Sequence, residues 1–99
     1  MVEVTQANFN DFVAEGLVLI DFYATWCNPC KALEGSLKKY EAAHGVPVGK
    51  VNVDVSKGIA NAFGVLAIPT VVALRDGKEV HRATGAMPLS VLEKEFLKV

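Results

Sequence analysis

Residues 17–24 form an apolar run, interrupted only by Asp21, that ends just before the chain's only two cysteines. A nearly continuous apolar run is typical of a central strand covered on both faces, because a strand with one solvated face alternates apolar and polar side chains. The segment Trp26-Cys27-Asn28-Pro29-Cys30-Lys31 follows, and apolar residues then recur at helical spacing. The sequence therefore predicts a buried strand that leads directly into a long helix with both cysteines at its start.

The remaining hydrophobic pattern predicts a mixed α/β sheet. Further strands are expected over residues 2–4, 48–55, 71–74 and 80–83, and helices after an Asn8 cap, over residues 57–63 and from Pro88. Asp76-Gly77 is a strong two-residue hairpin signal between the last two strands. The order βαβαβ followed by ββα predicts a five-stranded mixed sheet flanked by four helices, in a single domain over residues 1–99.

Charge and apolar content exclude several function classes. The formal net charge is −1 and basic residues are not clustered, so we expect neither nucleic acid nor an anionic membrane surface as a partner. Every apolar stretch is far shorter than the ~18–20 residues that a membrane span needs. Met1 leads directly into Val2-Glu3-Val4 without the segments of a signal peptide, which predicts a cytoplasmic location.

The spacing of the two cysteines indicates redox chemistry. Thiols at positions i and i+3 of a helix start can close into a small disulfide ring and reopen, and Pro29 suits the first helical turn, where its missing N–H needs no partner. A helix N-terminus favours the thiolate, and Cys27 occupies that end. The alternative is a pair of buried core cysteines, since free cysteine is among the most buried residue types.

Metal binding is the competing chemistry for paired cysteines. A closed zinc site needs four ligands, and only His44 and His81 could join the two thiols. His44 lies roughly 21 Å beyond Cys30 if the helix is continuous at ~1.5 Å per residue. No metal site is predicted within one chain, although two chains sharing a metal through both cysteine pairs remains an alternative.

From end to end, the chain resembles the thioredoxin family. The matching segments are Asp21-Phe22-Tyr23-Ala24-Thr25-Trp26-Cys27-Asn28-Pro29-Cys30-Lys31, Lys50-Val51-Asn52-Val53-Asp54, Ile68-Pro69-Thr70, Asp76-Gly77 and Gly85-Ala86. A Cys-x-x-Cys beside a βαβ pattern is itself typical of that family. Three departures stand out: Asn28 replaces a usual Gly between the cysteines, Gly35 replaces a usual helix-kinking Pro, and Ala67 replaces a usual Gly.

The resemblance implies the thioredoxin fold and a thiol-disulfide oxidoreductase that reduces protein disulfides by dithiol–disulfide exchange. It implies that Cys27 is the more exposed, nucleophilic sulfur and that Cys30 is the resolving thiol. The only redox group is then the Cys27–Cys30 disulfide, with no organic cofactor. The expected partners are a thioredoxin reductase and disulfide-containing protein substrates, and the expected state is a monomer.

Asp21 and Lys50 complete the expected catalytic set. A buried carboxylate is costly unless it is paired or protonated, and Asp21 interrupts a strand that should be buried. The resemblance implies that Asp21 exchanges a proton with Cys30 through water and that Lys50 pairs with Asp21. The alternatives are a carboxylate hydrogen-bonded at a strand end and, for Lys50, a solvated lysine on the polar face of its strand.

Eight residues are expected to form the substrate-binding surface. The resemblance implies a cis peptide before Pro69 and a loop whose backbone pairs with an extended substrate strand beside an apolar rim. The set is Trp26, Asn28, Pro29, Ala67, Ile68, Pro69, Gly85 and Ala86. For Trp26, a plain core position is the alternative.

Two other functions fit the same fold. One is a more oxidising disulfide oxidase or isomerase, which the missing export signal argues against. The other is a non-enzymatic binding subunit, whose activity would survive replacement of both cysteines.

Overall fold

The computed structural model describes residues 1–99, which form nine helices and strands. In chain order these are β1 (Val2–Glu3), α1 (Phe9–Val13), β2 (Leu17–Tyr23), α2 (Asn28–His44), β3 (Val48–Asn52), α3 (Lys57–Ala62), β4 (Thr70–Arg75), β5 (Lys78–Thr84) and α4 (Leu89–Phe96). The element order confirms the predicted one. No helix is long and apolar enough to cross a membrane.

Strand β2 lies at the centre of a five-stranded sheet with the order β1-β3-β2-β4-β5. It runs parallel to β3 and antiparallel to β4, so the sheet is mixed as predicted. The β4–β5 hairpin turns at Asp76 and Gly77, whose φ angles of 52° and 81° are those that a tight two-residue hairpin requires. The central position of β2 explains its apolar run, because both of its faces are covered.

The two faces of the sheet carry separate hydrophobic cores. Val18, Ile20 and Phe22 of β2 pack into the core beside α1 and α3, whereas Leu19 packs into the core beside α2 and α4. Because side chains alternate along a strand, Asp21 lies on the same face as Leu19, under α2. That alternation is what brings a carboxyl group to the helix that begins at the cysteines.

Two local predictions are wrong. β3 ends at Asn52 and not at residue 55, because the Asn52 side chain accepts the Asp54 N–H at 2.9 Å and turns the chain, which leaves Val55 72% exposed. Asn8 precedes α1 but its side chain does not cap it. The Asn8 carboxamide instead accepts from Thr5 N–H and donates to the carbonyl of Glu3.

Candidate redox site

Cys27 and Cys30 form a disulfide at the N-terminus of α2, with their Cα atoms 5.3 Å apart. Cys27 is the N-cap residue, and its Sγ accepts the backbone N–H of Cys30 at 3.3 Å. Asn28 and Pro29 fill the first turn, where both side chains are exposed and the Asn28 carboxamide makes no hydrogen bond. In the reduced protein the same N–H groups and the helix dipole would stabilise a thiolate on Cys27.

The two sulfurs differ more in position than in exposure. Cys27 is 6% exposed and Cys30 is 3% exposed in the disulfide form, and the two form a small cluster with Ala24 against which Ile68 packs. The expectation that Cys27 is the more exposed sulfur therefore holds only by a small margin. Its place at the helix N-cap distinguishes it more clearly from Cys30.

Asp21 is a buried carboxyl group without a partner. The residue is 1% exposed, and neither carboxyl oxygen has a hydrogen-bond partner in the protein. Burial raises the pKa of Asp21 to about 7, the charge of Lys50 opposes that rise, and Glu34 and Glu3 add to it. The alternative of a hydrogen-bonded carboxylate at a strand end is wrong, because Asp21 lies inside β2.

Asp21 and Cys30 line the same cavity of about 270 Å³. Its wall also contains Glu34 and Lys31 from α2 and Lys50 from β3. A cavity of this size and polarity can hold water between the carboxyl group and the sulfur. A proton could therefore pass between Asp21 and Cys30 once the disulfide is open.

Lys50 does not pair with Asp21, so that expectation is wrong. Its Nζ donates to Glu34 Oε1 at 2.5 Å and lies 4.6 Å from the centre of the Tyr23 ring. Lys50 and Asp21 are nevertheless direct neighbours in the β2–β3 register. The ammonium binds the partly exposed carboxylate of Glu34 and not the buried carboxyl group, whose ionised form is disfavoured by burial.

Sequence reasoning missed Glu34 as a site residue. Glu34 forms its ion pair with Lys50 of β3. A signal was present, because Glu34 follows Cys30 by four residues and must therefore lie on the same face of α2.

The loop before β4 lies against the cysteines. The Ile68–Pro69 peptide is cis, and Ile68 packs against the disulfide. The carbonyl of Pro69 accepts the Gly85 N–H at 2.8 Å, and Gly85 has a φ of 102°, which favours glycine. The structure thus brings Ile68, Pro69 and Gly85 together next to the disulfide.

An apolar groove lies beside the disulfide. Trp26 is 68% exposed, which excludes a core position, and its Nε1 donates to Asp54 Oδ2 at 2.8 Å. Leu66 is 99% exposed, and its sequence pattern did not predict it as part of the binding surface. We call this surface the Trp26 groove, a cavity of about 210 Å³ lined by Trp26, Val53, Val65, Leu66, Ala67 and Ile68.

Ala86 lies in a different depression. It lines a cavity of about 270 Å³ together with Ala32, Ser36, Met87 and Pro88. It does not line the Trp26 groove. The expected apolar rim is therefore not one surface, because Trp26 and Ile68 line one depression and Ala86 lines another.

No group of three or more His, Cys, Asp or Glu side chains is arranged to hold a metal ion. His44 pairs with Glu93 and His81 with Glu95, so each links α4 to another element. Neither approaches the cysteines as a ligand set.

Known proteins resemble the chain over nearly its whole length. The thioredoxin family model matches residues 1–98. A thioredoxin of Chlamydia caviae is 52% identical over 87 residues, covering 86% of this chain and 85% of the relative. A thioredoxin of Bacillus subtilis is 34% identical over 96 residues, covering 95% of this chain and 92% of the relative.

Solved structures agree with the fold. Mitochondrial thioredoxin 3 of Saccharomyces cerevisiae, in its oxidised form, superposes with a TM-score of 0.90 at 35% identity, covering 100% of this chain and 95% of that one. A mutant thioredoxin of Halobacterium salinarum has a TM-score of 0.88 at 33% identity, covering 94% of this chain and 84% of that one.

Proposed function

The chain belongs to the thioredoxin family of thiol–disulfide oxidoreductases, and from that membership we propose that it reduces disulfides in other proteins and is re-reduced by a thioredoxin reductase. The observation that carries the proposal is the disulfide between Cys27 and Cys30 at the N-terminus of α2. The reduced form of this pair can deliver two electrons to a substrate disulfide, and its oxidised form is the state that a reductase would accept.

The reaction proceeds through a mixed disulfide. The Cys27 thiolate attacks one sulfur of the substrate, which forms a Cys27–substrate bond and releases the other substrate sulfur as a thiolate. The Cys30 thiolate then attacks Cys27 Sγ, closes the Cys27–Cys30 disulfide and releases the second substrate sulfur. Two electrons have moved from the protein to the substrate.

Asp21 is the proposed proton carrier for Cys30. The ionised carboxyl group takes the proton of the Cys30 thiol as that sulfur becomes the attacking nucleophile, with water in the shared cavity as the relay. A pKa near 7 suits this task, because both protonation states are then populated near neutral pH. Lys50 acts on Asp21 through its charge and not through contact.

The substrate is proposed to bind across the loop that contains Ile68 and Pro69. Free backbone groups of this loop would pair with an extended substrate segment, with the exposed Asn28 and Pro29 at one side of the sulfur. The Trp26 groove, which includes Ala67, would take an apolar side chain near the substrate disulfide. Gly85 and Ala86 would border the segment on the other side.

We further propose that the chain acts as a monomeric single domain over residues 1–99 in the cytoplasm. All four helices pack on one sheet, which supports one folding unit. A dithiol reductant also requires a compartment that keeps thiols reduced, as the cytoplasm does.

The direct test is catalysis of protein disulfide reduction with dithiothreitol as the electron donor. Thiols released from a disulfide-linked protein should appear faster in the presence of the chain than with dithiothreitol alone. The Cys27→Ser/Cys30→Ser double variant is the control and should give no acceleration. Equal rates with the wild-type chain would contradict the proposal.

The redox potential separates a reductant from the oxidising alternatives. Equilibration of the cysteine pair against glutathione should give a value near the roughly −270 mV of thioredoxins, and not near the about −180 mV of disulfide isomerases or −120 mV of strong oxidases. A pure binding subunit would keep its partner interaction in the double Ser variant.

A further inference from the structure

Three carboxyl groups lie near the ammonium group of Lys50. Asp21 and Glu3 are direct neighbours of Lys50 in the β2–β3 and β1–β3 registers, and Glu34 of α2 forms an ion pair with it. Lys50, Asp21 and Glu34 line the cavity that also contains Cys30. Lys50 binds Glu34 at 2.5 Å and leaves both Asp21 oxygens without a partner.

The preference for Glu34 follows from exposure and geometry. The Lys50 and Glu34 side chains are 22% and 31% exposed, so both charges keep contact with water, whereas Asp21 is 1% exposed. The Tyr23 ring lies 4.6 Å from Lys50 Nζ and adds a second attraction on the same side. Lys50 is therefore held on the solvent side of the cavity.

Among the charged groups near Asp21, Lys50 is the one cation beside it in the strand register. Glu3 approaches from β1 and is bound by the Tyr23 hydroxyl at 2.8 Å. Lys31 of α2 lines the cavity but makes no ion pair. On the other flank, β4 places Val71 opposite Asp21. The titratable and charged groups around Asp21 are Glu3 (β1), Tyr23 (β2), Cys30, Lys31 and Glu34 (α2) and Lys50 (β3), and the charge of Lys38 acts on Glu34.

We propose that Glu34 is a positioning residue whose carboxylate holds the Lys50 ammonium away from Asp21, so that the Asp21 carboxyl group stays unpaired and free to exchange a proton with Cys30. The inference rests on the proposed role of Asp21 in the reaction. Glu34 lies one turn after Cys30, and its ion pair occupies Lys50, the only cation beside Asp21 in the strand register.

Removal of the Glu34 charge releases Lys50. In Glu34→Gln the ammonium loses its ion-pair partner, and the carboxyl groups left beside it in the strand register are Asp21 and Glu3. Glu3 is already bound by the Tyr23 hydroxyl, whereas Asp21 has no partner. An ion pair at Asp21 favours the ionised form. The titration midpoint of Asp21 should then fall, and the carboxylate should lose its ability to take and return a proton near neutral pH.

The test is the titration of the Asp21 carboxyl carbon, followed by ¹³C NMR in the oxidised protein, where neither cysteine titrates. Glu34→Gln should lower the midpoint by about one pH unit. In a Lys50→Met background the same replacement should lower it by much less, because no ammonium is left to move.

Glu3→Gln is the matched control. Glu3 also repels the charge of Asp21 and neighbours Lys50 in the β1–β3 register, but its carboxylate is bound by Tyr23 and forms no ion pair with Lys50. Its replacement should therefore give the same small shift in both backgrounds. An equal shift from Glu34→Gln with and without Lys50, or no shift at all, would overturn the proposal. Because the measurement needs no turnover, its failure is distinct from a failure of disulfide reduction itself.

Discussion

At the scale of single residues, Asp21 shows what the sequence can and cannot predict. A carboxyl group inside an apolar run predicts burial, and Asp21 is indeed 1% exposed. The identity of the Lys50 partner was not predictable in the same way, because it depends on how closely α2 approaches β3. Alternation along one strand carries no information about that distance.

Asp21→Asn should stabilise the oxidised protein in alkaline solution and much less in acid. The raised pKa means that the folded state prefers the neutral carboxyl group, so this group's contribution to stability is full below pH 4 and is lost as the pH rises through about 7. At ~1.4 kcal/mol per pKa unit, the free energy of unfolding of the wild type is lower above pH 8 than below pH 4 by on the order of 4 kcal/mol from this group alone.

The measurement is the free energy of unfolding in urea at pH 4 and pH 9. The free energy of unfolding of Asp21→Asn should exceed that of the wild type by more at pH 9 than at pH 4. The extra difference should roughly equal the stability that ionisation of Asp21 costs the wild type. An equal difference at both pH values would mean that Asp21 does not titrate between them in the folded state.

The same replacement should slow the resolving step near neutral pH. Asparagine keeps the size of the side chain but cannot take the proton of the Cys30 thiol. Stopped-flow measurement of substrate release between pH 6 and 9 should show a slower rate in Asp21→Asn. Identical profiles for both proteins would make Asp21 a structural residue only.

At the scale of elements, α2 was well predicted and β3 was not. α2 begins after Cys27 and ends at His44, and Gly45 with a φ of 67° provides its left-handed C-cap. β3 stops early because a side-chain hydrogen bond of Asn52 turns the chain, a local contact that overrides the alternation of Val51, Val53 and Val55. Periodicity predicts the body of an element better than its end.

Gly35→Ala should raise the stability of the protein by about 1 kcal/mol. Glycine in a helix interior costs conformational entropy relative to alanine, and a Cβ at Gly35 would meet no atom within 4 Å. Urea denaturation of the oxidised protein measures the gain.

Gly49→Ala is the matched control for that experiment. A Cβ there would lie 2.7 Å from Val4 Cγ2 and 2.8 Å from Phe12 Cε2, so this replacement should destabilise the protein by roughly 1–3 kcal/mol. Loss of stability in Gly35→Ala would contradict the account of α2 as an unstrained helix with free space at this position.

At the scale of the whole molecule, the fold gathers separate segments at one end of β2. The cysteines, the cis-Pro69 loop and Gly85 are distant in sequence and adjacent in the structure. Their meeting was expected from the resemblance, whereas the exposure of Leu66 was not. Exposure of one leucine depends on the path of the whole loop, and the local apolar pattern gives the opposite expectation.

Leu66→Asp should weaken the reduction of protein disulfides without affecting small ones. Loss of an apolar contact of this size is worth about 1.5 kcal/mol, or roughly tenfold in kcat/KM. Small disulfides do not reach the Trp26 groove and should react at the wild-type rate. Val80→Asp is the control, because Val80 is 45% exposed on β5, near the hairpin at the other end of the sheet.

An unchanged kcat/KM of Leu66→Asp for protein disulfides would remove the Trp26 groove from substrate binding. A parallel loss on small disulfides would instead point to damage at the cysteines themselves.

The assignment of the two sulfurs is tested most directly by trapping the mixed disulfide. Cys30→Ser should accumulate a stable covalent complex with a disulfide-linked protein, visible by mass spectrometry and reversed by dithiothreitol, because Cys27 attacks and nothing resolves the bond. Cys27→Ser should trap none. Trapping by Cys27→Ser and not by Cys30→Ser would contradict the account.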